Sequence, residues 1–122
     1  MKTKEIGDFG ETVACEYLEE LDCDILERNF SAKPGEIDII AQDGDCLVFV
    51  EVKTRKSNAY GEPSEFVDYK KQQRIIKTAM CYTDVMNREV RFDVIEVFYT
   101  VSDGIFRTIK INHIKNAFDN FI

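Results

Sequence analysis

The chain has 122 residues, of which 44% are hydrophobic and 32% charged, and its formal net charge is −7. That length suggests one domain, residues 1–122, with one core, and no run approaches the roughly 18 apolar residues a membrane span needs. "MKTKEIGDFGE" lacks a signal-peptide apolar region, and four scattered cysteines without a CxxC pair fit reduced thiols rather than a zinc site, so a cytoplasmic protein with no membrane role is expected.

In chain order, residues 4–21 read as an amphipathic helix, with Ile6, Phe9, Val13, Tyr17 and Leu21 at three- and four-residue steps. Gly7 and Gly10 lower its helix propensity but let another backbone come close. "DCDILERNF" reads as a first strand with its polar positions facing water. "SAKPG" is a loop, and "EIDIIAQ" and "CLVFVEVKT" are strands rich in β-branched residues. Asp43-Gly44 between them signals a tight hairpin turn. "KSNAYGEPSE" is a long loop, and a second helix is predicted over Phe66–Val85. "VRFDVIEVFYT" and "IFRTIKIN" form a second hairpin around "SDG", and "HIKNAFDNFI" reads as a short closing helix. The order α-β-β-β-α-β-β-α predicts an α/β (α+β) sandwich with a mixed sheet.

The stretch Gly35 to Arg55, "GEIDIIAQDGDCLVFVEVKTR", places charges inside its two most strand-like segments. With Asp43 and Gly44 as the central turn residues, Gln42 faces Asp45, Asp38 faces Phe49 and Glu36 faces Glu51. Glu36, Asp38, Glu51 and Lys53 then share one face, and Val48, Val50 and Val52 line the other, against the core. Asp38 and Glu51 become diagonal neighbours at roughly 7–8 Å between backbones. Opposed like charges destabilise a sheet, so either this face is wet or a cation sits there. A hard divalent ion suits carboxylates and backbone carbonyls. A lysine beside it can orient an attacking water and stabilise developing negative charge. The pattern is that of a metal-assisted hydrolysis site.

Asp38 followed by Glu51-Val52-Lys53 resembles the PD-(D/E)xK nuclease signature. "GDFGETVACEYL", "GEIDIIAQDGDCLVFVEVKTR", "KKQQRI", "RFDVIEV" and "INHIKNAF" together resemble the YraN-like family of bacterial proteins, over nearly the whole chain and in the same order. That family is similar to archaeal Holliday junction resolvases. The resemblance implies a restriction-endonuclease-like core, a mixed sheet flanked by helices. It implies Asp38 and Glu51 as metal ligands, the Val52 carbonyl as a third, Lys53 on the water nucleophile, and Glu11 completing the site. Mg²⁺ or Mn²⁺ is the implied cofactor. The implied activity is endonucleolytic hydrolysis of phosphodiesters in structured or branched DNA. Related resolvases act on two strands with paired sites, which is compatible with a homodimer. The chain departs from the family in "LEELDCDIL", which lacks the glycine common after the first helix, and in "GDFGE", which lacks a basic residue before the second Gly.

Charge distribution bears on the partner. Residues 1–24 hold eight acids against Lys2 and Lys4, whereas residues 53–91 hold nine basic side chains against five acids, a local +4. One face can therefore be basic while the whole is acidic. Lys70, Arg74 and Lys77 share one face of the second helix, and with Lys56 they form a candidate nucleic-acid surface. Lys70 and Gln73 match a "K..Q" of the related family near the active site. Glu36 is either a ligand or the partner of Arg55 or Lys53. Arg91 and Asp93 share a strand face as a structural pair, and His113 is a helix-start or packing residue. Tyr60 and Phe66 are either base-stacking aromatics or ordinary loop and core aromatics. The rival reading is a non-catalytic module that binds nucleic acid or a protein partner on the same fold.

Overall fold

The computed structural model describes residues 3–59 and 67–118. Helix α1 (Thr3–Glu20) is followed by β1 (Asp24–Ala32), β2 (Gly35–Asp43) and β3 (Cys46–Lys56). A 3-10 turn (Ser57–Ala59) leads to α2 (Tyr69–Tyr82), β4 (Val90–Ser102) and β5 (Ile105–Phe118). The five strands form one sheet in the order β1-β2-β3-β4-β5. Only β3 and β4 pair in parallel, and the other neighbours are antiparallel, so the sheet is mixed. The expected order and mixed sheet hold through β5. The loop aromatics Tyr60 and Phe66, and the last four residues, lie outside the described residues.

Both faces of the sheet are covered. Leu47, Phe49, Phe92 and Val94 pack against Ile75, Ile76 and Ala79 of α2. Val48, Val50, Ile95 and Val97 pack against Ala14, Cys15 and Leu18 of α1. The expectation of one core face and one charged face along β3 is therefore corrected: residues 47–51 are buried without a break, as in strands sandwiched between helices. Alternation also fails in β2, where Ile37 belongs to the α2-side core and Ile39 to the α1-side core. Asn29, across on β1, has a φ of 54°, and β1 carries a bulge between Ile25 and Glu27. Asn29 thus lies opposite Asp38, where the faces of β2 change, between the Arg28–Ile39 and Phe30–Ile37 pairs.

The buried stripe of α1 is Gly10, Ala14, Cys15 and Leu18, whereas Leu21 lies past the helix end and is exposed. Gly10 has the steric role expected of it. A Cβ there would lie 1.8 Å from Thr54 Oγ1, so only glycine lets α1 reach β3. Gly7 faces open space, and its expected close approach does not occur. The helix ends in a Schellman motif. Cys23 N–H donates to the Leu18 carbonyl and Asp22 N–H to that of Glu19, with Asp22 at φ 65° where glycine is usual.

Helix α2 is shorter than predicted. Asp68 caps it by accepting the Lys71 N–H at 2.8 Å, and it ends at Tyr82, with Thr83 extended. The first hairpin turns on Gly44 and Asp45, because Asp43 pairs with Cys46. Of the two dipeptides in "DGD", the one led by glycine wins, with Gly44 at φ 57°. Ile39 therefore faces Val50, and the same offset continued puts Asp38 opposite Glu51 rather than opposite Phe49. A two-residue slip by itself keeps each side chain on its face, so Glu51 and Lys53 stay together on β3, but the break in alternation between Ile37 and Ile39 removes the basis for grouping Glu36 with Asp38. The predicted closing helix is instead the end of β5. Phe118 pairs with Phe92, and the Asn116 N–H donates to the buried Asp93 carboxylate at 2.9 Å, which holds this segment on β4.

Candidate active site

The β2–β3 ladder runs as far as Ile39–Val50. Beyond it, the Val52 N–H donates to the Asp38 Oδ2 at 2.8 Å, so a carboxylate stands where a strand carbonyl would otherwise accept. Burial and the Glu51 charge push the Asp38 carboxyl up to about 7, although the Val52 N–H and Lys71 oppose the shift. Asp38 forms no ion pair among the described residues.

Glu51 is buried on β3, and its Oε1 lies 2.6 Å from the Lys71 ammonium on α2. Burial opposes the charge on Lys71, but the hydrogen bond and charge of Glu51, with the charge of Asp38, hold its pKa above the ordinary lysine value. Glu11 reaches the cluster from α1, seated there by the Gly10–Thr54 contact. Burial raises its pKa, with Asn29 and Arg28 countering in part. Its Oε1 is buried with no hydrogen-bond partner among the described residues, and Arg28 stands 3.8 Å away.

Three predicted acids, Glu11, Asp38 and Glu51, thus come together electrostatically, each from a different element. Lys53 lies two residues beyond Glu51 on the same strand face, half-buried, with Glu96 as its β4 neighbour. Glu36 is exposed. Its expected partner Arg55 is committed elsewhere, donating to Glu96 Oε2 at 3.1 Å and lying over Phe98. Lys70, Arg74 and Lys77 are all exposed on α2, as is Lys56 at the end of β3, and Gln73 is half-buried. Arg91 does pair with Asp93, its Nε lying 3.0 and 3.1 Å from the two carboxylate oxygens. His113 starts no helix. Its ring bridges Asp93 at 2.7 Å and the Tyr17 hydroxyl at 3.0 Å.

Lys71 is the site residue that sequence reasoning missed. Its signal was the apolar stripe of the second helix, because Val67, Ile75 and Ala79 step by four through position 71. A lysine on the buried stripe needs a buried partner, and Glu51 is that partner.

The fit to a divalent ion rests on the donor set. Among the described residues no three His, Cys, Asp or Glu side chains already sit as a metal-holding group. Asp38 and Glu51 are hard oxygen donors whose charges are under-compensated, and the Glu11 Oε1 lacks a hydrogen-bond partner among the described residues, a donor chemistry compatible with such an ion.

A mixed sheet between two helices, with acids from α1, β2 and β3 meeting where the central ladder opens, defines an α/β protein with one acidic cluster at its heart. The chain belongs to the uncharacterised protein family UPF0102, whose model matches residues 10–97. It is 47% identical over 121 residues to a UPF0102 protein of Clostridium botulinum strain Hall, with 94% of each chain covered. It is likewise 47% identical over 116 residues to a UPF0102 protein of Persephonella marina, covering 93% of this chain and 92% of the relative. Among the described residues no helix is long and apolar enough to cross a membrane.

Proposed function

We propose that the chain is a metal-dependent endonuclease that hydrolyses phosphodiester bonds in structured or branched DNA. The observation that carries this is the Asp38 carboxyl, half-buried beside the buried Glu51 and raised to about 7, with no ion-pair partner among the described residues. Strongly perturbed, under-compensated acids cluster at functional sites. Asp38, Glu51 and the Val52 carbonyl would hold Mg²⁺ or Mn²⁺, which when bound polarises the phosphate and lowers the pKa of the attacking water. Lys53 orients that water toward phosphorus and stabilises the charge that develops on the phosphoryl oxygens. Glu11 orders the far side of the cluster. The exposed Lys70, Arg74 and Lys77 stripe, with Lys56, follows the phosphate backbone without reading sequence. The water oxygen bonds to phosphorus and gives up a proton to solvent as the P–O bond to the leaving nucleotide breaks, and the leaving oxygen takes a proton from solvent.

The test is cleavage of single-stranded, duplex, flapped and four-way-junction DNA at low salt, with Mg²⁺, Mn²⁺ or EDTA, beside Lys53→Ala. Cleavage that needs both metal and Lys53 supports the enzyme. A second reading, a non-catalytic nucleic-acid-binding module, is favoured by the −7 net charge and by the Lys71 ammonium already on Glu51. Binding without cleavage on every substrate, with each metal, supports that one.

A further inference from the structure

The Lys71–Glu51 contact, at 2.6 Å, is the shortest ion pair among the described residues. Its partners are unequal. The Glu51 side chain is 10% exposed, whereas that of Lys71 is 41% exposed. The carboxylate is therefore fixed within the sheet, and the ammonium approaches it from the solvent side on a flexible four-carbon stem. The base of that stem is anchored, because the Lys71 N–H is held by the Asp68 carboxylate at 2.8 Å in the first turn of α2. The head can leave while the helix stays. Asp38 stands beside it with no ion pair of its own among the described residues, so one ammonium serves both Glu51 and Asp38.

We propose that Lys71 is the resident counter-ion of this cluster, and that a divalent cation enters by displacing its ammonium from Glu51. Lys71 then sets how tightly the cluster takes metal. The inference rests on the metal-site reading above and adds a residue to it. An ammonium and a divalent ion cannot share Glu51 closely, since their repulsion grows as the site dries. Before metal arrives, Lys71 holds the buried carboxylate in place. Afterwards it is a positive charge at the mouth of the site. It is a positioning residue for the cation.

The experiment uses the whole chain, with Lys71→Met to keep length and remove charge, and Lys71→Arg to keep charge. Mn²⁺ binding is measured by calorimetry at about pH 8.5, above the value of about 7 for Asp38. Lys71→Met is expected to bind Mn²⁺ roughly tenfold or more tightly than wild type, and Lys71→Arg to stay close to wild type. Melting in EDTA gives a readout independent of activity. Lys71→Met should melt below wild type without metal, and saturating Mn²⁺ should raise its Tm by more than it raises that of wild type. Equal Mn²⁺ affinity in wild type and Lys71→Met, or equal Mn²⁺-induced shifts, would overturn the proposal alone if Glu51→Gln still abolishes binding. If no variant takes Mn²⁺, the metal-site reading fails together with it.

Discussion

Asp38→Asn should make the metal-free protein more stable above neutral pH, and the size of the effect can be worked from the site. Asparagine keeps the volume and can still accept the Val52 N–H, but it carries no charge. In the native chain the Asp38 carboxyl is raised from 3.8 to about 7. A raised acid binds its proton more tightly folded than unfolded, so native stability falls as pH rises from 3.8 through about 7. That span of about three units is worth at most about 4 kcal/mol at roughly 1.4 kcal/mol per unit. Asp38 is only half-buried, so solvent screening discounts that ceiling, and roughly 2 kcal/mol is assigned to this substitution. At roughly 3–5 °C per kcal/mol for a chain of this size, Asp38→Asn should melt roughly 6–10 °C above wild type near pH 8 in EDTA. Near pH 5 the gap should close, because wild-type Asp38 is then protonated. Excess Mn²⁺ should stabilise wild type selectively, by mass action on the folded state. Thermal scans at the two pH values check all of this. Parallel pH profiles, or a variant less stable than wild type near pH 8, would refute the reasoning.

Three further outcomes follow from the packing. Gly10→Ala should cost roughly 1–3 kcal/mol in urea unfolding, since its Cβ would collide with Thr54 at 1.8 Å, whereas Gly7→Ala, in open space, should gain roughly 0.5–1 kcal/mol. Asp22→Gly should stabilise by about 1 kcal/mol, by relieving an L-residue held at φ 65° in the Schellman turn, and a raised Tm would register it. Asp93→Ala should cost roughly 3–5 kcal/mol, because Arg91 and His113 lose their fully buried shared partner, Arg91 keeping only Asp43 and His113 only Tyr17. Burial pushes the Asp93 carboxyl up, but His113, the Asn116 N–H and Arg91 hold it below the ordinary value. The stability it lends is therefore present above 3.8 and lost as pH falls through the lowered value, so the deficit of Asp93→Ala should shrink in acid.

Much of the architecture was legible because period and punctuation agreed. The strands of β2 and β3 announce themselves by β-branched runs, and the Asp103-Gly104 turn matches its residues, both at positive φ. The register of the first hairpin was not legible, because "DGD" offers two competing glycine turns and local sequence does not rank them. The closing helix was misread for a different reason. "HIKNAF" has helical spacing, but its polar residues answer to Asp93 on a strand 20 residues earlier in the chain. Tertiary pairing then overrides local preference. For the site, Asp38 and Glu51 stood out as charges within strands. Lys71 did not, since a lysine beside Lys70 on a polar helix looks solvated until its phase on the buried stripe is counted.

The same sheet supplies its own comparison for the functional reading. Asp93 and Glu96 are buried more deeply than any acid of the candidate site, at 0% and 1% exposure, and both are fully served. Asp93 has Arg91, His113 and the Asn116 N–H, and Glu96 has Arg55 and Asn112. Their strand neighbours show that this fold can bring cations and donors to a buried carboxylate when stability is all that is required. At Asp38 it brings one N–H and the charge of Lys71, and at Glu11 an Asn29 hydrogen bond and a guanidinium 3.8 Å away, and it opens the β2–β3 ladder at the same point. A cost taken at one cluster and avoided at another a few residues away is poorly explained by chance packing. The divalent ion of the proposed function would supply the positive charge that this cluster lacks.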